Sequence, residues 1–469
     1  MREASLTMRG CETKALSKEA PVSLVPSFLD LLQPLSCPMT CPTFDNFLTV
    51  LTGWVFARRR TVTGMILAAE AVGDGPGHKH HSAYHRLFAA ARWSLDEVGL
   101  AVFDLLMLTL PGAIVFIAVD DTLCRKHGRK RMFGVGMHHD PLVSSKKMAV
   151  CNWGHSWVIL GVVIALPFCP GRSFCLPVLF RLYRSKQTAE REGTAGGVYF
   201  TRPQLAVQML KLLCSRHPGR HFHALADMAY GGQSVLKHLP GNCDLTSRLL
   251  LDARLVDDPA PKPPGRKGRQ PLRGRPLPSP REMLQGRATR VARKTYGRDD
   301  VLRVVLRVVR QTARLYHVPQ RKVAVVAAES LKGSRCVRAY YSTVADATAE
   351  QVLDGYAMRF SIEQTIQEAK GQLGFEQPQN WTKPAVRRTA PVAMLLYTLV
   401  VLWFAREGHR HYAPPYRPWY RTKAAPSFAD MLATLRCRSV AEAVAATPDH
   451  GQPGTKSVAT LMHLLKQAA

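Results

Sequence analysis

Three acidic positions in this chain sit in settings suited to metal-ion chemistry. Asp120 and Asp121 follow the apolar run Ala113–Val119 in the order Asp-Asp-Thr. Asp227 follows Phe222–Ala226 in the stretch ALADMAYGG, and Glu363 lies within Tyr356–Lys370, YAMRFSIEQTIQEAK. Each has a plain reading on its own. The aspartates suit turns or helix N-caps, and Glu363 suits an i,i+4 salt bridge with Arg359 worth a few tenths of a kcal/mol. Taken together they suggest more. Two strand-end aspartates and a glutamate from a packed helix can converge on two Mg2+ (or Mn2+) ions, since hard cations take carboxylate oxygens. Such a pair, about 4 Å apart, can activate a nucleophile and steady the leaving oxygen of a phosphodiester. Without that positive charge three carboxylates repel one another and titrate as a coupled set.

The elements that must position these groups can be read from periodicity. Tyr356, Arg359, Glu363 and Lys370 share an arc of about 60° on one helix, with Ile362, Ile366 and Leu373 on the flank to be buried. Ala113–Val119 is a continuous β-branched run of the buried-strand type, and Ser156–Leu166 and Cys175–Leu182 are two more. A helix is expected at Gln204–Ser215 and a strand at Phe222–Ala226, which gives an α/β layout with helices on a mixed sheet. The ends of such strands are where ligand sites collect. Leu24–Leu32, Phe44–Ala57 and Leu87–Leu108 read as helices. Asp74–His85 between them reads as a His-rich polar loop, and Arg58, Arg59, Arg60 and Lys79 as phosphate contacts or a solvated face. Val301–Leu315, Lys322–Ala328 and Val337–Thr343 are further folded signals.

Between them lies an unusual segment. Eight prolines fall between Pro259 and Pro280, and twelve Lys/Arg stand against Glu282 alone from Lys262 to Arg298. This composition reads as a linker or mobile basic arm without a packed core. The whole chain has 64 Lys+Arg against 34 Asp+Glu, a net charge of +30. An excess of that size points to a polyanionic partner, with nucleic acid ahead of an anionic membrane. The apolar runs Trp157–Cys169 and Val392–Ala405, at about 13–14 residues, are too short to span a bilayer. The opening MREASLTMRG does not read as a signal peptide. Eleven cysteines without a CxxC pair read as reduced, mostly buried thiols rather than a zinc site.

With these residues in place, the chain resembles the DDE-type insertion-sequence transposases, in the branch marked by a Tyr-Arg-Glu-Lys signature. The resemblance rests on Asp120 in D-x-T, Asp227 in D-x-x-Y, and Tyr356, Arg359, Glu363 and Lys370 at Y-x2-R-x3-E-x6-K. It covers roughly residues 85–405. It implies an RNase H-like catalytic domain with a mixed sheet and an insertion, preceded by an α-helical N-terminal domain. The expected organisation has five parts. Residues 1–110 form a helical DNA-binding or dimerisation region, 111–245 and 346–410 the two parts of the catalytic domain, 246–345 the insertion with its basic arm, and 411–469 a helical tail. The resemblance further implies that Asp120, Asp227 and Glu363 are catalytic and hold the metal, while Tyr356, Arg359 and Lys370 contact DNA phosphates beside the scissile bond. Asp121, adjacent to Asp120, stays open as the alternative first carboxylate. The implied reaction cuts the ends of an insertion sequence and joins the freed 3′-OH to target DNA. The implied partners are double-stranded DNA (terminal inverted repeats and target) and a second copy of the chain, with no membrane. The implied setting is the bacterial cytoplasm, at the nucleoid when DNA-bound. Two other readings remain: a decayed or domesticated DNA-binding protein on the same scaffold, and an RNase H-like nuclease without strand transfer.

Overall fold

The computed structural model describes residues 23–72, 79–110, 112–126, 132–145, 147–262, 267–286, 288–296, 301–331, 336–414 and 425–446. The N-terminal decapeptide, residues 74–78 of the His-rich loop, and much of the tail beyond 411 lie outside them, and the end of that loop, from Ser82, is helical. The chain opens with helices α1 (Pro26–Leu32), α2 (Cys41–Phe56), α3 (Val62–Ala71), α4 (Ser82–Ala89) and α5 (Leu95–Met107). Next come β1 (Ile114–Arg125), β2 (Gly136–His139), β3 (Cys151–Ala165), β4 (Ser173–Tyr183), α6 (Lys186–Gly196), α7 (Arg202–Arg216), β5 (His221–Ala226), α8 (Gln233–Leu236) and β6 (Cys243–Leu249). The middle of the chain holds β7 (Leu255–Val256), β8 (Pro276–Leu277), α9 (Pro280–Met283), β9 (Thr289–Tyr296), β10 (Val301–Leu315), β11 (Val318–Ser330) and β12 (Val337–Ser342). Helices α10 (Ala349–Met358), α11 (Phe360–Leu373), α12 (Lys383–Arg406) and α13 (Phe428–Ala446) complete it.

All twelve strands among the described residues belong to one mixed sheet, in the order β2-β3-β1-β5-β6-β12-β11-β10-β7-β8, with β4 also paired to β3 and β9 to β10. The pairs β1·β5 and β5·β6 are parallel, and the others are antiparallel. The apolar strand cores explain the placement: Val158, Ile159, Leu160 and Val162 of β3, and Leu176, Val178 and Leu179 of β4, are buried. Helix α12 packs on β4, α4, α5 and α13 and forms the centre of the helical layer. At 24 residues it is long and apolar enough to cross a bilayer, yet 89% of its most apolar stretch is buried inside the protein. Its extent comes from joining the run Val392–Ala405 to the preceding turns, and Pro391 is accommodated within it.

Several expected boundaries move. The helical pattern over Leu87–Leu108 is broken between α4 and α5, because Trp93 turns inward to donate its indole N–H to Leu87 O (2.8 Å). Ser94 then caps a new helix by accepting from the Glu97 amide. Helix α3 carries little apolar–polar contrast for periodicity to detect, with Val62, Met65, Ile66 and Ala69 buried. Strand β1 runs on to Arg125, so Asp120 and Asp121 lie within it rather than beyond it, paired with Ile159 and Val158. The basic segment after Pro259 is also more ordered than its composition suggests. Ser279 and Glu282 form a reciprocal capping box on α9, Met283 and Leu284 are buried, and β9 pairs with β10.

Candidate active site

The parallel ladder between β1 and β5 ends with Val119 opposite Ala226. The next residues are Asp120 on one strand and Asp227 on the other, so both carboxylates emerge at the same end of the parallel core. A strand also sends successive side chains to opposite faces, and that separates the two neighbouring aspartates. Asp120 faces α11, where its Oδ2 accepts from Arg359 Nη1 at 3.1 Å. Asp121 is held elsewhere: the hydroxyl of buried Tyr230 donates to its Oδ1 (2.7 Å), and Arg202 Nε lies 3.2 Å from its Oδ2. Arg202, from the first turn of α7, also donates to Ser156 Oγ (3.3 Å and 3.1 Å) and lies over the Tyr183 ring.

Glu363 enters from the first turn of α11. Its Oε1 accepts from Arg359 Nη2 at 2.5 Å, so one guanidinium joins Asp120 to Glu363. Asp227 shapes its own turn: its Oδ1 accepts from the amides of Ala229 (2.9 Å) and Tyr230 (3.4 Å), while Ser247 Oγ donates to its backbone oxygen. Burial pushes the Asp120 carboxyl up to about 7, against the pull of Arg359 and the Asp121 amide, with Asp121 and Asp227 adding repulsion. Burial also raises Asp121, opposed by Arg202 and the Tyr230 hydroxyl. Burial works against the charge of Arg359, yet Tyr356, Asp120 and Glu363 hold its pKa above the ordinary value.

The four residues expected on one helical line occupy two helices. Arg359 is the junction between α10 and α11. Tyr356, on α10, is buried, with its ring 4.7 Å from that of Tyr340, in a cluster that includes Val352 and Leu353. Ile362, Ile366 and Leu373 are buried as expected. Lys370 donates to Leu123 O (2.7 Å) and pairs with Glu376 Oε1 (2.7 Å), tying α11 to β1. Lys126, at the end of β1, supports the same junction by donating to Glu376 O and Pro378 O at 2.7 Å each. Among the earlier basic candidates, Arg58 and Arg59 are exposed, Arg60 is buried, and Lys79 donates to Asn46 Oδ1.

Sequence reasoning did not single out Arg202 or Lys126. Tyr230 was visible only as the last position of D-x-x-Y. For Arg202 there was no local signal, because its contact depends on α7 packing against β3 and β4. The donor set of Asp120, Asp227 and Glu363 suits a hard dication, and the guanidinium between two of them marks a place where positive charge is needed. Among the described residues, no three His, Cys, Asp or Glu side chains form a ready-made metal cluster.

A family model described as DDE superfamily endonuclease matches residues 43–307, a span that includes Asp120, Asp121 and Asp227 and ends before Tyr356. The probable transposase for insertion sequence element IS701 of Microchaete diplosiphon is 26% identical over 157 residues, 33% of this chain and 36% of that protein. The chain therefore spans about a third of this relative's length.

Proposed function

Given that the chain belongs to the DDE superfamily endonucleases, we propose that it is a DNA transposase that cuts the ends of an insertion sequence and joins them to target DNA. The observation that carries this reading is the meeting of Asp120 and Glu363 across one guanidinium, beside Asp227 at the same end of the parallel strands. On this reading Asp120, Asp227 and Glu363 hold two Mg2+ (or Mn2+) ions. Asp120 is preferred to Asp121 because it faces α11, whereas Asp121 is engaged by Tyr230 and Arg202. When bound, such ions supply Lewis acidity at the phosphodiester and a more acidic bound water.

The chain's own groups do the positioning. Lys370 and Lys126 fix α11 and the turn after it against the end of β1, which keeps Glu363 in register with Asp120. Tyr230 and Arg202 hold Asp121 and, through it, the strand that carries Asp120. Tyr356, Arg359 and Lys370 are the proposed contacts to phosphates beside the scissile bond, a task for which an Arg fork and a Lys point charge are suited. The Tyr-Arg-Glu-Lys branch, the RNase H-like character of 111–245 and 346–410, the insertion at 246–345, the tail at 411–469 and a DNA-binding or dimerising region at 1–110 belong to the same proposal. So do a homodimer on double-stranded DNA, action at the nucleoid, and no membrane partner; the burial of α12 supports this last point.

The test is Mg2+-dependent cleavage of a duplex carrying the element's own ends, with binding measured in parallel. Wild type should cut, while Asp227→Asn and Glu363→Gln should lose cutting by at least about a thousandfold and keep DNA affinity within a few-fold. If binding falls in step with cutting, these carboxylates are structural. Tight binding without cutting by any form would favour a DNA-binding protein on a decayed scaffold.

A further inference from the structure

Arg359 is the residue on which the charge of the site depends. Its side chain is 6% exposed, and the rings of Tyr356 and Phe360 flank the guanidinium with centroids 5.4 Å and 4.9 Å away. One nitrogen lies 3.1 Å from Asp120 Oδ2 and another 2.5 Å from Glu363 Oε1. The third, Nε, is buried without an acceptor. An exposed i,i+4 pair is screened by water and contributes little. Here the guanidinium is enclosed and the Asp120 side chain is 17% exposed, while the Glu363 side chain is 49% exposed; the Asp120 contact joins a strand to a helix 239 residues further along the chain. On the Asp120 side, largely away from water, the attraction is stronger than at a surface, whereas the Glu363 side is screened by solvent.

We propose that Arg359 is the internal counter-cation of the Asp120–Glu363 pair, holding the two carboxylates together and competing with a divalent cation for their oxygens. This inference rests on the proposed reading of Asp120 and Glu363 as metal ligands. A dication that takes Asp120 Oδ2 and Glu363 Oε1 needs the oxygens that the guanidinium now occupies. Two positive groups sharing them repel each other, most strongly at the more buried Asp120 oxygen. The fork is released when metal enters, and phosphate is an acceptor suited to receive it. Metal entry and phosphate contact by Arg359 therefore favour each other, and by linkage each raises affinity for the other.

The test is calorimetric titration of the full-length, DNA-free protein with Mn2+, comparing wild type with Arg359→Gln, Arg359→Met and Arg359→Lys. Asp227→Asn identifies the site being titrated. Removing the charge should tighten Mn2+ binding by about tenfold or more, while Lys, which keeps it, should stay within about threefold of wild type. Met preserves the apolar stem between the two rings, so it reports even where Gln disturbs packing. Melting curves give a second reading. Gln and Met should melt earlier than wild type without metal and gain more from Mn2+ than wild type does. Saturable Mn2+ binding that is equal or weaker in folded Gln and Met variants overturns the competition while leaving the metal site standing. Absence of saturable binding in every form, or binding unaltered by Asp227→Asn, overturns the metal reading and this inference with it.

Discussion

Asp140 is 1% exposed and charged, because the Arg125 fork reaches it through Nε (2.5 Å to Oδ2) and Nη2 (3.1 Å to Oδ1). Asn152 Nδ2 and the Leu142 amide supply two further donors. Arg125 ends the strand that carries Asp120, so this cluster anchors one side of the site. The Arg125 hydrogen bonds, helped by Asn152 and Leu142 against the cost of burial, hold the Asp140 carboxyl well below the usual carboxylate range. A lowered native pKa means that the stabilisation is fully present above the unfolded value of about 4 and is lost as pH falls below it. Asp140→Asn should therefore cost about 1–3 kcal/mol at pH 7. The gap in melting temperature from wild type should close as pH drops below about 4. A gap that stays constant from pH 7 to pH 3 would remove Asp140 from this role. At this scale the sequence exposed the acids and hid their partners. Asp120, Asp227 and Glu363 stand out by what precedes them, whereas the split between Asp120 and Asp121 depends on strand facing. The Arg359–Asp120 contact spans 239 residues of the chain and leaves no local trace.

Helix α5 lies so close to β4 that a Cβ on Gly99 would stand 2.0 Å from Val178 O, a backbone atom that cannot swing aside. Gly371, exposed near the end of α11, has nothing within 4 Å of the same position. The same substitution should act in opposite directions at the two sites. Gly99→Ala should destabilise by about 1–3 kcal/mol through forced separation of helix and strand. Gly371→Ala should stabilise by about 0.5–1 kcal/mol through helix propensity. Thermal melts of both variants decide the matter, and equal shifts would show that α5 does not rest on β4 as described. Strands and long helices were legible because their apolar faces repeat. Breaks were less so: the α4–α5 corner is made by the inward turn of Trp93, and the α10–α11 junction falls at Arg359 without a proline or glycine there. The capping boxes Thr201–Gln204 and Thr348–Gln351 mark two helix starts that the residue types alone suggest.

On the scale of the whole molecule, a net charge of +30 meets a single sheet that carries the candidate site and strands β7–β11 together. Strand β12 pairs with β6 on one side and β11 on the other, then leads into α10 and α11. The proposed insertion is thus continuous with the support of Glu363. Its basic segment read as an arm because composition reports local preference only. Within it, Thr289–Tyr296 pairs with β10 and Met283 and Leu284 are buried, contacts that a linear reading does not contain. Many acids in this chain are already committed to internal pairs, among them Asp96, Asp104, Asp140, Glu192 and Glu368. The surplus of Lys and Arg therefore leaves a net positive charge suited to an external polyanion. If that partner is duplex DNA, bound Lys and Arg release counterions. Affinity for a duplex without element ends should then fall by about a thousandfold or more between 50 and 200 mM salt, linearly in log–log form. Glu363→Gln should keep the same slope, because that carboxylate does not bind phosphate. A flat salt dependence would mean that the charge serves something other than a nucleic acid backbone, and would take away the support that composition lends to a DNA-cutting role.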